Sequence, residues 1–112
     1  MDIVGEKIYK SIFHISETAL VLAKTHLSEN PKKFQQLRDY VVALSHQQKR
    51  RAKKEFNSYE DKETFLKGVL LEVKFKMEST WKIFFKDEFP EAIELINESY
   101  NKEIENVESI LR

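Results

Sequence analysis

The chain has no cysteine, and only two glycines and two prolines in 112 residues. The first absence excludes disulfides, thiolate nucleophiles and cysteine-ligated zinc. The second excludes folds that use turn residues in quantity, such as β-sandwiches and phosphate-cradling loops, and predicts few, long elements. An excess of either charge is also missing: Lys and Arg total 19, and so do Asp and Glu. No global field therefore draws the molecule to nucleic acid or to an anionic membrane. The longest apolar run, Ala19–Ala23, is five residues long, against the roughly 20 that a membrane-spanning helix needs. The opening Met1–Glu6 shows no basic stretch followed by an apolar one, so no secretory leader is expected. The expectation is a cytoplasmic protein with no membrane partner.

What is present suits a helical domain. Charged residues make up 34% and hydrophobic residues 41% of the chain, as in helices with one buried face and a charged exterior. Eight Phe, four Tyr and one Trp are too many aromatics for a disordered chain. The length allows one core, so residues 1–112 are expected to form a single domain.

Three boundary signals divide it. Asn30-Pro31 sets a capping side chain before proline at a first helical position. Ser58 offers a second cap, with Asp61 three residues later in a box-like arrangement. Asp87-Glu88-Phe89-Pro90-Glu91 supplies proline at a helix start and acids where the terminus is positive. Helices are predicted over 3–28, 31–56, 59–86 and 89–111. Short connections between rods of similar length imply an all-α, antiparallel up-down-up-down four-helix bundle.

The apolar faces are unequal. The last helix carries a narrow stripe, Phe89, Ile93, Ile96, Tyr100, Ile104, Val107 and Leu111, of nearly heptad form. The third fills a wide face with Phe65, Leu66, Val69, Leu70, Val73, Met77, Trp81 and Phe84, and leaves Leu71, Phe75 and Phe85 outside it. The first has Ile8, Ile12, Ile15, Ala19, Leu22 and Ala23 on one side, with Tyr9, Phe13, Leu20 and Leu27 beside them. One inward stripe suffices for a lone bundle, so the surplus predicts a second buried surface, either a homodimer or a partner interface. Phe13, Leu20, Leu71, Phe75 and Phe85 are the candidate contact residues. Gly68, in mid-helix, costs about 1 kcal/mol relative to alanine and fits close helix approach at such an interface as well as a tolerated core position.

Charge is segregated. Residues 31–56 hold eight basic and two acidic side chains, a net +6, and residues 87–112 hold eight acidic and two basic, a net −6. Three uses of this dipole compete: pairing of helices two and four within the chain, orientation of a second protomer, and phosphate binding through 46–54. For the last, Lys49, Arg50, Arg51, Lys53 and Lys54 are the candidate contacts. No glycine turn of a helix-turn-helix precedes that segment, and no aromatic interrupts it for base stacking.

Catalytic and metal signatures are sparse. His14, His26 and His46 follow Ser11, Ala23 and Ala43 by three residues, so the Glu-x-x-His pairs of bundle metal sites are missing. His14 and Glu17 share a face, as a local hydrogen bond would. No phosphate loop, dinucleotide fingerprint or nucleophile elbow is visible. The junction Trp81–Glu91 resembles the middle of the helical ligand-binding domain in TetR-type regulators over eleven residues, too short a stretch to carry a function. The sequence therefore predicts a non-enzymatic interaction protein, without cofactor or metal, whose partner is a protein and foremost a second copy of itself. The alternative is a nucleic-acid-associated protein acting through 46–54.

Overall fold

The computed structural model describes residues 3–58, 60–86 and 88–107, with side chains from residue 6 onward. It is all-helical: α1 (Ile3–His26), α2 (Pro31–Glu55), α3 (Lys62–Phe85) and α4 (Pro90–Glu105), with one 3-10 turn, Phe56–Ser58, after α2. Their packing gives a rod of 46 × 23 × 19 Å.

Local chemistry fixes the helix starts. The Asn30 side chain accepts from the Lys33 backbone N–H at 3.2 Å, with Pro31 beginning α2 where its missing N–H costs nothing. Pro90 opens α4 in the same way. The expected cap at Ser58 is corrected. Its hydroxyl donates to the Glu55 carbonyl at 2.7 Å, because the chain beyond α2 tightens into the 3-10 turn. Asp61 caps α3 instead, accepting from the Thr64 N–H at 3.1 Å and its hydroxyl at 2.7 Å. These bonds, the hydroxyl foremost, hold the Asp61 carboxyl below its ordinary pKa. Helix α3 thus starts at Lys62 rather than 59, and α1 ends at His26 rather than 28. Asp87, the start of the third helix at Tyr59 and the stretch of the last helix to Leu111 lie outside the described residues.

One core runs the length of the rod. Ile8, Ile12, Ile15 and Ala19 from α1 meet Leu37, Val41 and Leu44 from α2, Leu66, Val69, Val73, Met77 and Trp81 from α3, and Ala92 and Ile96 from α4. Each large side chain so buried contributes about 1.5–3 kcal/mol. At one end Phe85, Phe89 and His26 form an aromatic cluster. The Phe89 ring lies 5.0 Å from Phe85 and stacks on the imidazole at 4.7 Å. Lys86, with φ 52°, makes the turn that folds Phe89 back onto Phe85.

Helix α1 packs along both α2 and α4, and α3 borders the same two helices. Among the described residues no Cα of α2 lies within 8 Å of one in α4. The basic and acidic helices occupy opposite corners.

Candidate interaction surface

The outward face of α3 presents Thr64, Gly68, Leu71, Phe75 and Ser79, at spacings of four, three, four and four residues. All five are exposed and none is charged. In a chain that is one-third charged, a solvent-facing stripe about four turns long without a charge is the feature that needs a cause. Phe75 is 54% exposed and Leu71 38%. A Cβ added to Gly68 would meet nothing within 4 Å, so packing inside this chain gives no reason for a residue that weakens the helix by about 1 kcal/mol.

The borders of this face are well defined. On the α2 side the Tyr40 hydroxyl donates to the Lys76 carbonyl at 3.5 Å, and the Arg51 guanidinium donates to Glu72 at 2.5 Å. Glu72 also pairs with Lys76 at 3.0 Å. The Lys76 hydrogen bond foremost, aided by the charges of Lys76 and Arg51, holds the Glu72 carboxyl below its ordinary pKa against the opposing effect of burial. On the α4 side the Lys74 ammonium lies over the Tyr100 ring at 5.0 Å and over Phe75 at 5.7 Å.

The residues singled out from sequence have separate fates. Leu71 and Phe75 lie together on the outer stripe. Phe13 and Leu20 are half-buried walls of an open groove that also takes in Tyr9, Val21 and Arg38. Phe85 is corrected: at 4% exposure it belongs to the core, because the turn at Lys86 lays Phe89 across it and His26 closes the edge at 5.6 Å. Phe84, assigned to the inward face, is half-exposed and borders a groove with Lys33 and Ile83. Sequence reasoning missed Ile83 and Val21, which are 77% and 65% exposed. Ile83 sits eight residues beyond Phe75, so helical periodicity could have placed it at the edge of the same face.

The basic segment is partly neutralised, and not by α4. Lys49 pairs with Glu6 of α1 over the Tyr9 ring, and Arg51 pairs with Glu55 and Glu72. Arg50, Lys53 and Lys54 make no ion pair with the described residues. Nor do Glu91, Glu94, Glu98 and Glu105 of α4; there Glu103 alone has a partner, His14 of α1 at 3.1 Å. His14 therefore turns to α4 rather than to Glu17 on its own helix. Pairing of helices two and four within the chain is ruled out for the described residues by their diagonal placement.

Among the described residues no group of three or more His, Asp or Glu side chains could hold a metal ion, and no helix is long and apolar enough to cross a membrane. Compared with known proteins, the chain matches no family model, no curated protein and no solved structure.

Proposed function

We propose that the chain is a non-enzymatic protein-interaction module, an antiparallel up-down-up-down bundle that acts in the cytoplasm by associating with a second copy of itself through the outer face of α3. The antiparallel arrangement is supported by contacts joining the start of α1 to the end of α2 (Glu6 with Lys49) and the end of α1 to the start of α4 (His26 with Phe89). Short connections favour the same reading. The observation that carries the association is Phe75, more than half exposed beside Leu71 on an uncharged stripe.

Magnitudes favour a real contact. A phenylalanine offers roughly 200 Å² for burial, so covering the exposed part of Phe75 removes about 100 Å² from water. At about 25 cal/mol per Å² this is worth 2–3 kcal/mol per ring. Sedimentation equilibrium of the whole chain is expected to show a monomer–dimer equilibrium. In Phe75→Lys the dissociation constant is expected to rise at least a hundredfold, since each 1.4 kcal/mol is tenfold, with helical content unchanged. A wild-type chain that stays monomeric at hundreds of micromolar would refute the reading.

The exposed and unpaired Arg50, Lys53 and Lys54 support the runner-up, phosphate binding through 46–54. It requires duplex or single-stranded nucleic acid to bind at low salt and to weaken steeply as salt rises. Charge reversal of those three residues separates the two readings, because it would abolish such binding, whereas association through Phe75 would at most weaken.

A further inference from the structure

We infer that the two copies meet about a two-fold axis running parallel to the helices, so that the α3 helices lie side by side in the same direction and the basic α2 of each copy flanks the acidic α4 of the other. This rests on the self-association proposed above and specifies its geometry.

The argument starts from the diagonal. Because no Cα of α2 lies within 8 Å of one in α4 among the described residues and α3 borders both, the uncharged stripe of α3 is a seam between a positive flank and a negative one. An isologous contact through that seam has a two-fold axis lying in the plane of the interface, and the axis can run along the helices or across them. Both choices cover Leu71 and Phe75 equally, so apolar burial does not select between them. Charge does. An axis across the helices sets each α2 beside the other copy's α2, +6 beside +6, and likewise each α4 beside the other's, −4 beside −4, by the counts of eight basic against two acidic in Pro31–Glu55 and five acidic against one basic in Pro90–Glu105. An axis along the helices exchanges the flanks and sets +6 beside −4 on both sides.

Arg50, Lys53 and Lys54, and Glu91, Glu94 and Glu98, all exposed and without an ion pair among the described residues, are the groups this arrangement uses. They act as complementary fields, screened beyond the Debye length of about 8 Å, that fix orientation more than affinity.

The absence of cysteine makes the test direct. Thr64 and Ser79 are exposed at opposite ends of the stripe, about 22 Å apart along the helix at 1.5 Å per residue. A disulfide needs Cα atoms within about 7 Å. Thr64→Cys and Ser79→Cys are prepared separately, oxidised alone and as a mixture, and resolved by mass. The parallel arrangement predicts that each variant forms a covalent dimer with itself and that the mixture yields no hybrid above background. Hybrid as the main product, or no cross-link in chains that sedimentation shows to be dimeric, would overturn the geometry while leaving self-association intact. Monomeric wild-type chains would instead overturn the reading beneath it. Salt gives an independent sign: the wild-type dissociation constant is expected to rise about threefold or more between 50 and 500 mM salt as attraction is screened. A fall over that range would mean that like charges adjoin, and would refute the arrangement.

Discussion

The substitution Gly68→Ala separates what α3 needs as a helix from what it needs as a surface. In mid-helix, alanine is favoured over glycine by about 0.8–1.0 kcal/mol, partly because it restricts the unfolded chain. The new methyl would meet nothing within 4 Å in the monomer, so no packing cost opposes the gain. Unfolding entropy of about 2.1 cal/mol/K per residue over 112 residues comes to roughly 235 cal/mol/K. A gain of about 1 kcal/mol then raises Tm by about 4 °C. At a self-associating surface the same methyl has the opposite effect. It enters the seam where the partner's helix approaches and holds the two backbones apart, and the dimer is expected to weaken about tenfold, or about 1.4 kcal/mol. Thermal circular dichroism on dilute, monomeric chain reads the first effect and sedimentation equilibrium the second. Dilution matters because association itself raises Tm with concentration. A more stable monomer with unchanged association would show that Gly68 lies outside the contact. A less stable monomer would refute the open surroundings of that position.

Trp81, 1% exposed and with its indole N–H lacking a partner among the described residues, is expected to cost about 3–5 kcal/mol when replaced by alanine. Trp81→Phe should cost much less, since it keeps the ring and removes the unsatisfied donor; urea unfolding followed by circular dichroism measures both. Lys86, at φ 52° and ψ −123°, holds a backbone conformation suited to glycine, and Lys86→Gly is expected to raise stability by about 1 kcal/mol in the same assay. Glu72 has its folded pKa lowered by the Lys76 hydrogen bond and by Arg51, so its contribution is complete above its ordinary value and is lost as pH falls through the lower folded one. At 38% exposure that contribution is about 0.5 kcal/mol. The stability gap between wild type and Glu72→Gln is therefore expected to narrow as pH falls below the ordinary glutamate value and to close once the lowered folded value is passed, and a gap that widens in acid would refute the sign.

The parts of this fold written in local chemistry could be read directly. Asn30-Pro31 and Phe89-Pro90 mark helix starts because proline tolerates few other positions, and the periodic run from Phe65 to Trp81 faces inward as its spacing requires. The errors have physical causes. Ser58 and Asp61 both can cap a helix, and the choice fell to the carboxylate because the preceding chain closed into a 3-10 turn that engaged the serine hydroxyl. Phe84 and Phe85 exchanged roles because burial at the end of a rod is decided by the connection, here the turn at Lys86 and the return of Phe89, and helical periodicity carries no information about it. The opposite charges of α2 and α4 were plain in the sequence, but their diagonal placement was not, since it depends on which neighbours α1 and α3 choose. For the candidate surface, Leu71 and Phe75 were legible as apolar residues outside the inward face, while Gly68 was legible only as a mid-helix glycine that fitted an interface or the core alike; that the three line up on one uncharged stripe emerged only when the borders at Tyr40 and Tyr100 were in place.

A neutral chain can still be strongly polar across its width. Had the charged helices been adjacent, their side chains would have paired locally, and the neutrality of the whole would have been the neutrality of each flank. Placed at opposite corners, they leave Arg50, Lys53 and Lys54 on one side and Glu91, Glu94 and Glu98 on the other without partners among the described residues, at no gain to the folded monomer. Isolated surface charges of this kind cost little, about 0–1 kcal/mol either way, so stability alone explains neither their presence nor their sorting by sign. Sorting by sign has a consequence only for a second body. The seam between the flanks is uncharged from Thr64 to Ser79, and it carries the exposed Leu71 and Phe75. Apolar attraction there is strong but indifferent to direction; the flanks are weak but directional. In the proposed dimer the two would together give a contact both affinity and a defined orientation, which is the physical content of specific self-recognition.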